Sequence, residues 1–276
     1  MIRIAKLALL AFTLVATLGT THSLAGPNGV ARPFKGDAQS LVTGAQEDGA
    51  LILESVGNAT HLGKFTKTES LYVNDLPAMV LAMATAEGLN WDVQAQLLGG
   101  ASLEDHWRGG AAQARIQSGH WDAVVLQQGP SSLPESRANL REWVARFDEL
   151  IRAAGGRSAL YMVWPELSRL AWFDRVRDSY ALAARDVSGW FLPAGESWRA
   201  AWRDDPSLAL YDTDGFHPTA AGSYAAALTI FAGLSGRSPL GLPAPPTVDP
   251  TTAERLQRAA QEALESYSDY GPTDVP

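Results

Sequence analysis

Asp122-Ala123-Val124-Val125-Leu126-Gln127 is a short, nearly continuous apolar run. It is too short for a helix and does not alternate, so it reads as a strand buried on both faces. Working outward, Ser136–Ala154 places apolar residues at helical spacing, and Gly155-Gly156 reads as the cap that ends this helix. Ser158–Trp164 is then a second apolar run. A strand, a helix and a strand in succession specify two parallel strands joined by a crossover. The unit recurs: Ala50–Val56, Trp91–Leu98 and Trp190–Pro193 are further strands, and Leu76–Glu87, Leu103–Ser118, Phe173–Asp186 and Thr219–Leu234 are further helices. The expected fold is α/β, a three-layer α/β/α sandwich with a five-stranded parallel sheet, over residues 50–241.

Composition narrows the function. The 276 residues include no cysteine, which excludes a disulfide scaffold, a zinc-finger array and a thiol enzyme. A net charge of −8 argues against nucleic acid as a partner. A hydrophobic content of 46% with nine tryptophans excludes a chain that is disordered throughout. Residues 1–25 carry Arg3 and Lys6, the apolar run Leu7–Leu18, and small residues at Ser23 and Ala25. That is the pattern of a secretory signal peptide cleaved after Ala25. Its apolar run falls short of the ~20 residues that span a bilayer, so no integral membrane segment is expected after cleavage. The expected location is secreted or periplasmic. Residues 26–49 read as a leader before the domain, and 242–276 as a Pro-rich linker and a C-terminal helix. Thr251 and Glu254 have the spacing of a capping box for that helix.

In an open parallel sheet the ligand lies at the carboxyl ends of the strands. Reactive residues are therefore sought after each apolar run and in the late loops. Asp214-Gly215-Phe216-His217-Pro218 opens a helical stretch. A carboxylate three residues before a histidine can fix the imidazole tautomer and stabilise the imidazolium, and such a histidine can activate a serine. The plainer alternative is a turn whose Asp and His cap the helix. Trp164, which follows a strand, is a candidate wall of a substrate cleft. His106 is expected to be structural, and His61 and His120 solvated; no metal site is expected.

Four stretches in order resemble a known family. They are Ser70-Leu-Tyr-Val-Asn-Asp-Leu-Pro77, Gly99-Gly100-Ala-Ser-Leu-Glu-Asp-His-Trp107, Trp121–Gln128, and Asp214-Gly-Phe-His217-Pro218 with Ala221-Gly222-Ser-Tyr224 after it. The family is that of the SGNH (GDSL-type) hydrolases, secreted serine esterases and lipases with a flavodoxin-like sandwich. The similarity is greatest to a bacterial branch whose opening block reads G-N-S. The resemblance implies that His217 is the general base and Asp214 its orienting carboxylate. It implies a backbone N–H at Gly99 or Gly100 in an oxyanion hole, with Gly100 favoured, and no cofactor. Where the family has an oxyanion-hole Asn, this chain has Gln127 and Gln128. Gln127, taken as the first residue past the strand, is the favoured replacement.

The resemblance leaves the nucleophile open among three alignments. Ser70 stands just before the matching Tyr72-Val-Asn-Asp-Leu-Pro77, although Thr68-Glu69 replaces the preceding Gly-Asn. Gly57-Asn58-Ala59 matches the G-N-S block but places alanine in the serine slot. Ser55 at the strand end is the third. Ser70 is favoured. The expected function is an exported serine esterase acting on a small acyl ester, such as an O-acetyl group on a glycan. The alternative, which follows from Ala59, is a catalytically inactive glycan-binding pseudoenzyme.

Overall fold

The computed structural model describes residues 49–56 and 74–268. Five strands, β1 (Gly49–Val56), β2 (Asp92–Gly99), β3 (Ala123–Gln127), β4 (Arg157–Tyr161) and β5 (Trp190–Leu192), form one sheet. Every pairing is parallel and the order is β2-β1-β3-β4-β5. All five residues of β3 are buried, as its run of four apolar residues before Gln127 leads one to expect. Helix α1 (Leu76–Ala86) follows β1, α2 (Leu103–Gly109) and α3 (Ala111–Ser118) follow β2, and α4 (Pro134–Ala153) follows β3. A 3₁₀ segment, Leu167–Trp172, and α5 (Phe173–Asp186) follow β4. Helices α6 (Ala194–Asp204), α7 (Ala220–Ser235) and α8 (Pro250–Ser266) follow β5. Helix α7 packs against α1, α6 and α8, whereas α4 packs against α2, α3 and α5. Right-handed crossovers place these two groups on opposite faces, which gives the three layers.

Three local features depart from the sequence reading, each for a physical reason. The stretch 103–118 is two helices because Gly110 takes a left-handed conformation (φ 78°) that ends one and starts the other. Helix α6 contains Trp198 and Trp202, which lie in a helical pattern, but its bounds are hidden in the sequence by Pro193 before it and Gly195 within it. The cap of α8 is Asp249, whose carboxylate accepts from Thr252 N–H (3.0 Å), rather than Thr251. Helix α8 is part of the packed domain. Gln257 donates to the Tyr224 hydroxyl and the Leu242 carbonyl (2.9 Å each) and accepts from Gly241 N–H (2.8 Å). Its residues Ala253, Leu256, Ala259, Ala260 and Ala263 are buried.

The strand order reverses direction between β1 and β3, so the crossovers on either side of β1 run to opposite faces. A crevice opens at the carboxyl ends of the strands at such a switch point. Val56 of β1 is paired with Gly99 of β2, and Glu54 with Gln127 of β3, so Ser55, Gly99 and Gln127 all reach this edge.

Candidate active site

Asp214 and His217 lie on the loop from α6 to α7. The loop is a tight reversal closed by an antiparallel bridge between Tyr211 and Pro218. Gly215 makes the turn possible with φ 68°. Inside it, the Asp214 carboxylate accepts three hydrogen bonds. One oxygen takes the backbone N–H groups of Phe216 and His217 (2.9 Å each), and the other takes His217 Nδ1. Partial burial raises the Asp214 pKa, but the hydrogen bonds from His217 and the two amides outweigh it and hold the carboxyl below its usual range. An ionised carboxylate only accepts, so the proton sits on Nδ1 and Nε2 is the basic nitrogen. Nε2 has no hydrogen-bond partner among the described residues. The plain capping role is excluded: Thr219 caps α7, accepting from Gly222 N–H (3.2 Å).

The loop is docked at the carboxyl edge of the sheet from two sides. After β4, Leu167 N–H donates to Gly215 O (2.8 Å) and Trp164 Nε1 donates to Phe216 O (3.1 Å). After β1, the Asn74 amide donates to Pro218 O (2.9 Å) and to Ser223 Oγ of α7 (3.0 Å). Trp164 is not a wall of an open cleft. It is 7% exposed and stacks on Trp198 with ring centroids 3.6 Å apart. Trp198, Trp202 and Tyr211 extend this cluster under the loop. Tyr211 also donates to Pro165 O, and burial raises its pKa.

The candidate oxyanion residues follow the strands on either side of β1. Gly100, one residue past β2, has φ 70° in a turn closed by Ala101 N–H to Leu98 O (3.3 Å). Gln127 is the last residue of β3 rather than the first beyond it, and it is buried. Its amide nitrogen donates to Gln128 O (2.7 Å), which leaves one N–H, and its Oε1 is buried without a hydrogen-bond partner among the described residues. Gln128 has a structural role. Its Oε1 accepts from Leu103 N–H at the start of α2 (3.1 Å), and its Nε2 donates to Ser131 Oγ (3.0 Å). Tyr180 binds the backbone at Gln128 and Gly129. The turn after β3 is thus fixed from both neighbouring connections.

Ser70 and Ala59, with Gly57, Asn58 and His61, lie outside the described residues. Ser55 is on β1, opposite Leu98. His106 is buried within α2, and His120 is exposed with Nδ1 3.1 Å from Ala154 O. Neither is near a cluster of potential metal ligands among the described residues. Asn74 was not singled out from the sequence, because its partners are 144 and 149 residues away.

No protein-family profile matches the chain, and no curated protein matches it in sequence. Solved structures do. A protein from Slackia heliotrinireducens assigned to the SGNH hydrolases is 26% identical, with a TM-score of 0.54 over 68% of this chain and 99% of that one. A DUF4886 family protein from Bacteroides uniformis is 19% identical, with a TM-score of 0.60 over 82% of this chain and 97% of that one. The lipase/acylhydrolase from Enterococcus faecalis is 15% identical, with a TM-score of 0.50 over 70% of this chain and 97% of that one. The parallel order β2-β1-β3-β4-β5, the late Asp–His loop at its carboxyl edge and these neighbours agree: the chain has the fold of the SGNH hydrolases.

Proposed function

We propose that this protein is an exported serine esterase that hydrolyses a small acyl ester, with O-acetyl groups on a glycan as the substrate class. The observation that carries the reading is the Asp214–His217 pair, held at the sheet's switch-point edge with Nε2 of the imidazole left as a base. Ser70 is the nucleophile in this reading. Asn74 is anchored beside Pro218, and Ser70 is four residues earlier, which limits it to within ~14 Å of Asn74 even for an extended chain. In the reaction His217 Nε2 takes the Ser70 hydroxyl proton as Oγ attacks the ester carbonyl. Asp214 stabilises the resulting imidazolium. The Gly100 N–H and the remaining N–H of Gln127 would hold the oxyanion. His217 then protonates the departing alkoxide. Water, deprotonated by the same imidazole, releases the acyl group from Ser70.

The test is treatment of the protein with a fluorophosphonate probe and mapping of the labelled peptide, together with hydrolysis of a short-chain aryl acetate. Labelling at Ser70 that His217→Ala abolishes is the expected result. Labelling at Ser55 keeps the enzyme and overturns the assignment of the nucleophile. A second reading, a glycan-binding pseudoenzyme, is favoured by Ala59 in the serine slot. It predicts that folded protein takes no label, turns over no ester and still binds an acetylated oligosaccharide.

A further inference from the structure

Four consecutive carbonyl groups of the histidine loop each accept a hydrogen bond from a different source. Gly215 O takes Leu167 N–H (2.8 Å), Phe216 O takes the Trp164 indole (3.1 Å), His217 O takes Asp212 N–H (2.8 Å) and Pro218 O takes the Asn74 amide (2.9 Å). Three of these donors come from the loop itself or from the connection after β4. Asn74 comes from the connection between β1 and α1, on which the proposed nucleophile also lies.

We infer that Asn74 is a positioning residue that sets His217 by tying its loop to the start of α1. The inference rests on the serine-esterase reading above. Asn74 is suited to this by its chemistry. The single amide nitrogen has two N–H groups, and the structure uses them on Pro218 O and on the buried Ser223 hydroxyl. Pro218 has no N–H of its own, and its ring restricts the backbone of His217 before it. A hold on the Pro218 carbonyl therefore reaches the His217 main chain within one residue. The next residue, Asp75, is in a left-handed conformation (φ 43°) and caps α1 through Ala78 N–H (3.2 Å). The amide is thereby mounted on the fixed start of a helix rather than on a free loop. An aspartate here would face Pro218 O with an acceptor, and an alanine would leave that carbonyl without its donor.

The experiment compares wild type, Asn74→Ala and Asn74→Asp by kcat and KM on an aryl acetate. It adds thermal unfolding and an NMR titration of the His217 ring nitrogens. Misplacement of a base by about 1 Å costs on the order of 100-fold. The expected result is a kcat about 10- to 100-fold lower with KM changed less than about 2-fold, together with altered His217 ring signals. A lower melting temperature with kcat and ring signals unchanged in the folded protein would show a structural role only and overturn the inference. If Asn74→Ala does not fold, Asn74→Asp, which keeps the shape and loses the donor, is judged by the same criteria. If wild type neither takes the fluorophosphonate nor cleaves ester, the esterase reading has failed on its own. The His217 titration then decides the Asn74 link: identical curves in wild type and variant refute it, and different curves sustain it.

Discussion

Trp164→Phe isolates what the buried indole does for the Asp214–His217 loop. The substitution keeps an aromatic ring in a site that is 7% exposed but removes the N–H that Phe216 O accepts at 3.1 Å. Leaving a carbonyl without its donor costs about 1–3 kcal/mol. Phe216 is half-buried, so water can partly replace the indole and the lower half of that range applies. The smaller ring also overlaps less with Trp198, now stacked at 3.6 Å, and such pairs contribute about 0.5–1.5 kcal/mol. The expected loss is roughly 2–3 kcal/mol, or a melting temperature lower by about 5–10 °C for a domain of this size. Guanidinium unfolding followed by far-UV circular dichroism measures it, with an unchanged slope as the check on two-state behaviour. Activity of the folded variant should fall because Phe216 directly precedes His217. A midpoint within about 0.5 kcal/mol of wild type and full activity would refute the reasoning, since the indole would then hold nothing that the phenyl ring does not.

Asp214→Asn should leave the circular dichroism spectrum unchanged and reduce kcat/KM by about 10⁴-fold, because an amide can offer His217 Nδ1 a donor and select the wrong tautomer. Acid stability follows from carboxyls whose pKa is lowered in the fold: Glu104, Asp105, Asp174, Asp205, Asp214 and Asp249. A depressed folded pKa stabilises above the unfolded value and loses that contribution as pH falls through the folded one. Denaturant midpoints should therefore hold between pH 7 and about 5 and decline below about pH 4. A midpoint that rises on acidification would contradict these assignments.

The parallel sheet was legible because buried strands carry their signal locally. Residues 123–126 are apolar, the run is short, and burial is complete through Gln127. The Asp214–His217 pair was legible for the same reason, since the two residues lie three apart and their contact is made within one turn. Trp164 was misread. Its position after β4 suggested an open cleft, but its orientation is decided by Trp198 and Phe216, 34 and 52 residues away in sequence. The role of Asn74 is not legible in the sequence because its partners, Pro218 and Ser223, lie 144 and 149 residues away. Gln127 and Gln128 are adjacent and chemically identical, so only the structure separates the amide at the end of β3 from the one that ties α2 to β3.

The arrangement of α7 and α8 has a consequence for the order in which the chain is made. Residues Gly222–Ser235 of α7 are buried without exception, and Tyr224 among them is held by Gln257 of α8. Helix α8 follows α7 in the chain, so α7 leaves the ribosome before the helix that covers its outer side. Until then a nearly all-apolar helix has one face without its partner, a condition that favours association with other chains. A chain that stops before α8 keeps the sheet and the Asp–His loop in sequence and is still prone to aggregate.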